Sequence, residues 1–76
     1  MDGSTLSFSA RTWLDMIFEA KAARTGGVVR RKIAWVEREI GRDAFIAEVR
    51  ARRFHLIEAG HQFIVICNQG PVRLLF

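Results

Sequence analysis

A small α+β domain, three helices followed by a three-stranded antiparallel β-meander, is the fold this sequence predicts. Apolar residues recur at helical spacing as far as Arg53; from Phe54 onward β-branched and aromatic residues gather in short runs parted by Gly, Asn and Pro. Size supplies the third observation. With 76 residues, 50% hydrophobic and 26% charged, the chain can form one globular domain and is too short for a (β/α)₈ barrel or a doubly wound dinucleotide fold.

Residues 1–8 are small and polar and read as a flexible tail before a single domain over 9–76. Ser9 is the expected N-cap of a first helix, about 10–24, in which Trp13, Leu14, Ile17 and Phe18 fall at helical spacing. Arg24 suits its last turn and Gly26 a left-handed cap. A second helix is expected from Val28 to Gly41, because Val29, Ile33, Val36 and Ile40 follow at steps of four, three and four. Trp35 lies beside that stripe and Arg31 and Arg38 opposite it. Asp43 reads as the N-cap of a third helix that buries Phe45, Ile46 and Val49.

Three strands complete the prediction: Phe54–Ile57, Gln62–Asn68 and Val72–Phe76, with turns at Ala59-Gly60 and Asn68-Gln69-Gly70-Pro71. A turn centred on Ala59-Gly60 sets Leu56 opposite Phe63 and Phe54 opposite Val65 on one face. Ile57, Ile64 and Ile66 then share the other face, joined by Leu75. A sheet with helices on one side should be polar on the other, yet here both faces are apolar. The expectation is a homodimer through Ile57, Ile64, Ile66 and Leu75, since so short a chain has little left to cover them and its one cysteine cannot form an internal disulfide.

Charge is unevenly placed. Residues 24–53 hold nine basic and four acidic side chains, a net +5, whereas the flanking thirds are −1 and zero. Such a patch attracts nucleic acid, another polyanion or an acidic protein surface. Gly26 and Gly27, followed by Arg30, Arg31 and Lys32, read as a candidate phosphate site at a helix N-terminus, because three cations in a first turn oppose the helix dipole unless an anion is bound. Arg38, Arg50, Arg52 and Arg53 extend the candidate nucleic-acid surface. The order of helices and hairpin also suits a winged helix, in which Arg42, Arg50 and Arg53 approach DNA, but Glu37 and Arg42 stand where the motif wants a small and an apolar residue.

Other chemistry finds less support. His55, His61 and Cys67, with Glu58 nearby, lack the paired ligand spacing of structural zinc sites, so no metal or cofactor is expected. No nucleophile with a base and an oxyanion hole is visible, which argues against an enzyme, and no small-molecule substrate is evident. Trp13 and Trp35 read as core aromatics. No run reaches the ~18–20 apolar residues of a membrane span, and Met1-Asp2-Gly3-Ser4 does not open a signal peptide, so a cytoplasmic setting is expected.

At Phe18-Glu19-Ala20-Lys21-Ala22, at Gly26 to Arg31, and at Phe54-His55 and Gln62 through Asn68, the chain resembles a group of very short, uncharacterised bacterial proteins. Some of these carry the label phosphoribosylanthranilate isomerase. That enzyme is a full (β/α)₈ barrel, for which this chain has neither the length nor the strand–helix alternation, so the resemblance implies no activity. The functional expectation is a non-enzymatic basic regulator that binds nucleic acid or another polyanion; the alternative is an interaction module working through the apolar sheet face.

Overall fold

A computed structural model of the chain describes residues 8–76. Apart from Phe8, the tail expected over 1–8 lies outside the described residues. The architecture is α+β, with three helices, a single helical turn and a three-stranded antiparallel sheet, but the order of elements is not the predicted one. A strand stands between the first helix and the other two, and the third strand of the expected meander is absent.

Helix α1 (Phe8–Phe18) buries Ala10, Leu14 and Ile17 along one stripe, and Ser9 lies inside it and does not cap it. The predicted continuation to residue 24 is interrupted, because Ala20 is extended and a separate turn, α2 (Lys21–Arg24), follows. That break lets Ala23 enter the core and brings Gly26, at φ +79°, to the start of strand β1 (Val28–Lys32). Residues 28–32 are therefore a strand where a helix was predicted. The physics favours the strand. Val28 and Val29 are β-branched, and burial alternates with Val29 inside while Val28, Arg30 and Lys32 face solvent. Extended, Arg30 and Arg31 no longer crowd a first helical turn, although Lys32 remains the N-cap of the helix that follows.

Helix α3 (Ile33–Glu39) begins at once and ends at Ile40. Gly41, at φ +94°, turns the chain and returns its N–H to the Val36 carbonyl at 2.9 Å. Helix α4 (Arg42–Ala51) follows, with Gly41 as its N-cap and Asp43 in its first turn. Strands β2 (His55–Ala59) and β3 (Gln62–Ile66) form a hairpin. Its two-residue turn is Gly60-His61: Gly60 takes φ +62° and His61 does not share the positive φ, as in a type II′ turn with Gly first. The register is accordingly two residues from the predicted one, with Leu56 opposite Val65 and Glu58 opposite Phe63. An even shift leaves every side chain on its predicted face.

The strand order is β1-β3-β2, so β3 is central and antiparallel to both neighbours. Both its flanks are taken, which leaves no place beside it for Val72–Phe76. That segment is irregular, and Leu74, Leu75 and Phe76 are largely exposed. On one face of the sheet Val29, Phe63, Val65 and Cys67 meet Leu14, Ile17, Val36, Phe45 and Val49 from the helices. Phe45 is the hub, with the rings of Phe63, Trp13 and Phe18 centred 5.5, 6.3 and 6.5 Å away.

Candidate functional site

The register defines what lies on the other face. Three cross-strand rows occupy it: Val28, Ile66 and His55; Arg30, Ile64 and Ile57; Lys32, Gln62 and Ala59. Every helix directs its apolar stripe to the opposite face. Ile64 and Ile66 are half-buried between neighbouring strands, while Ile57 and Val28 are exposed by 37% and 42%. Three of the four predicted interface residues thus meet on one surface. The fourth, Leu75, lies in the irregular segment and off the sheet.

The same surface gathers two residues from the other predicted set. Arg30 and Lys32 point outward along β1 beside the isoleucines, and the face carries no carboxylate. Among the described residues neither has an acid within ion-pairing distance. Lys32 sets its ammonium 5.7 Å from the centre of the Trp35 ring. Trp35 is 48% exposed and is not part of the core, contrary to expectation. Its position off the Ile33–Val36–Ile40 stripe was the available signal.

The remaining predicted contacts scatter. Gly26 and Gly27 lead into a strand, so no helix N-terminus stands behind them; the Gly27 carbonyl accepts the Cys67 N–H at 2.9 Å as part of the sheet. Arg31 lies on the helix-covered side of β1 and donates to the Arg30 carbonyl at 2.6 Å. Arg38 sits 3.6 Å from Glu39. Arg52 donates to the Glu48 carboxylate at 2.8 Å and lays its guanidinium 4.1 Å from the centre of the Phe18 ring. Glu48 also receives a two-pronged contact from Arg11, at 3.1 and 3.2 Å. Partial burial pushes the Glu48 carboxyl up, but the hydrogen bonds and charges of Arg52 and Arg11 outweigh it and hold the group below the usual glutamate range. Both arginines are thereby tied to α4 through Glu48.

Arg50 and Arg53 stand elsewhere, on the flank of α4 that faces β2, in line with Arg42. Arg42 is engaged by Glu58 and lies 5.2 Å from the centre of the Phe63 ring. No single arginine surface therefore unites residues 30–32 with 50–53.

Cys67 is buried, and that burial raises its thiol above the usual range, so it stays protonated near neutrality. The His55 ring donates through Nε2 to the Gly70 carbonyl at 2.6 Å, which ties the chain after β3 to the start of β2. Among the described residues no three His, Cys, Asp or Glu side chains gather as a metal site would require, and no helix is long and apolar enough to cross a membrane. Compared with known proteins, the chain matches no family model, no curated protein and no solved structure.

Proposed function

We infer that the chain is a non-enzymatic protein-interaction module whose working surface is the sheet face that no helix covers. The observation that carries this reading is the juxtaposition of Ile57, Ile64, Ile66 and Val28 with the unpaired Arg30 and Lys32 on that one face. Aliphatic side chains in a central stripe drive association by leaving water, and cations along one edge select the partner by charge. The partner this chemistry fits is a protein with an apolar patch bordered by carboxylates. A second copy fits less well, since the face offers no acid to meet its own Arg30 and Lys32. Nucleic acid also fits less well: the centre of the face is isoleucine and valine, Trp35 is among the described residues the one exposed ring beside its cations, and Arg52 is held by Glu48 within the chain.

The test pairs two variants with a nucleic-acid control. Ile64→Glu and Arg30→Glu should each release a protein that the wild type retains from its own cells, with the helical circular dichroism of both unchanged. Fluorescence anisotropy with random duplex DNA and single-stranded RNA should show no salt-dependent binding. A steep salt slope that shallows in Arg30→Ala would instead establish a phosphate contact and defeat the proposal. Unfolding of Ile64→Glu would place that face in the core of the monomer.

A further inference from the structure

We propose that β2 is a docking edge, where an extended acidic segment of another protein adds as a fourth strand and sets its carboxylates against Arg50 and Arg53. This surface is separate from the sheet face described above and does not rest on that reading.

The argument begins with the hydrogen-bond ladder. Ile33 donates to the His61 carbonyl and Cys67 to that of Gly27, both at 2.9 Å, so odd-numbered residues of β3 bond to β1. Even-numbered residues then bond to β2, where they meet His55, Ile57 and Ala59. By the alternation of an antiparallel ladder, the N–H and C=O groups of Leu56 and Glu58 point away from the sheet. Among the described residues no backbone or side-chain group bonds to them. On the outer edge of β1 one outward group, the Arg30 carbonyl, accepts from Arg31. Natural sheets blunt such edges, and on β2 the one charged residue that could do so, Glu58, is turned to Arg42.

A groove of about 560 Å³ runs beside the bare edge, between β2 and α4. Ile46, Leu56 and Phe63 line it as apolar surface, and Arg42, Arg50 and Arg53 as cations. Glu58 neutralises Arg42, whereas Arg50 and Arg53 have no acid within ion-pairing distance among the described residues. The groove therefore carries two uncompensated positive charges. A strand laid along Leu56 and Glu58 sends alternate side chains into it. Glutamate suits those positions, since its methylenes cross Ile46 and Leu56 while its carboxylate reaches the arginines. Apolar residues between them would prolong the isoleucine stripe on the far face. Main-chain bonds would supply affinity, and the charge pattern would select the sequence.

The probe is a capped, fluorescent peptide of about eight residues alternating valine and glutamate, with a valine–lysine peptide as control. The glutamate peptide should bind the full chain, with affinity that falls as salt rises, and the lysine peptide should not. Amide exchange at Leu56 and Glu58 should slow on binding. Reversing both charges in R50E/R53E should weaken binding about tenfold or more. A second variant, Glu58→Pro, removes one outward N–H without touching the ladder to β3 and should bind far more weakly than Glu58→Ala, which frees Arg42 equally, while the helices stay intact. The proposal is overturned by equal binding of the two peptides, or by no binding up to about 1 mM. Protection confined to β1 also overturns it, as does self-association of the peptide-free protein that protects Val72–Phe76.

Discussion

Arg53 is the one described non-glycine residue with positive φ, at +60°, and replacing it by glycine should make the protein more stable. Its place in the structure explains the conformation. The Arg53 N–H donates to the Arg50 carbonyl at 2.9 Å and the Phe54 N–H to that of Val49 at 3.2 Å, the paired closure of a helix C-terminus that usually has glycine at this position. Holding an L-residue there costs about 1–2 kcal/mol. Glycine removes that cost but returns roughly 0.5–1 kcal/mol through the larger entropy of its unfolded chain. The expected gain for Arg53→Gly is about 0.5–1 kcal/mol, a rise in Tm of about 2–8 °C for a domain this small. Thermal circular dichroism and urea titration measure it, and the midpoint should rise with the slope unchanged. Arg53→Ala separates backbone from side chain, because it keeps the left-handed residue and loses the guanidinium; its Tm should stay close to wild type. An Arg53→Gly protein no more stable than wild type would refute the argument. Glycine should also weaken the glutamate peptide, so the most stable variant would be the poorer binder, and that trade would account for an arginine at a glycine position.

Two further outcomes test the core and its ionic support. Phe45→Ala leaves a void among the rings of Trp13, Phe18 and Phe63 and should cost about 3–5 kcal/mol. Total stability for a chain of this length is about 4–11 kcal/mol, so the urea midpoint should fall by roughly half, and a loss below about 1 kcal/mol would deny Phe45 its central place. Glu48→Gln tests the contact with Arg11 and Arg52. Because the folded carboxyl titrates below its unfolded value, its stabilisation is complete above the ordinary glutamate range and is lost as pH falls through the lower folded value. Variant and wild type should differ in Tm at neutral pH and converge in acid; a gap that persists in acid would show that packing alone separates them.

Much of the fold could be read from periodicity. Leu14 and Ile17 announce α1, Phe45 and Val49 announce α4, and the hairpin follows from Gly60 between two β-rich runs. Ile57, Ile64 and Ile66 share a face whether the turn centres on residue 59 or 60, because side chains alternate with period two. Strand β1 was hidden by coincidence. Val29 falls four residues before Ile33 and so continues the stripe of α3, although a strand and a helix meet between them. The charge order held the contrary signal: Arg30, Arg31 and Lys32 are ill placed in a first helical turn and well placed on a strand edge. Val72–Phe76 has the composition of a strand, but composition does not say whether a neighbouring position is vacant, and β1 had taken it. The arginines divide between two places for a similar reason. Sequence proximity put residues 30–32 and 50–53 in one patch, whereas the sheet places the first group on β1 and the second beside β2, at opposite edges.

The central position of β3 governs how the sheet closes. The strand in the middle of the sheet is the last of the three in the sequence, so the two outer strands depend on a segment that follows both of them. Without Gln62–Ile66, Val29 and Leu56 have no cross-strand partner and the helices lose the central strand of the face they cover. Completion is abrupt, because the arrival of one strand closes both ladders at once. The Gly60-His61 turn is accordingly a seam: a chain cut there would separate into a larger piece with a strand-shaped gap and a short piece that fits it.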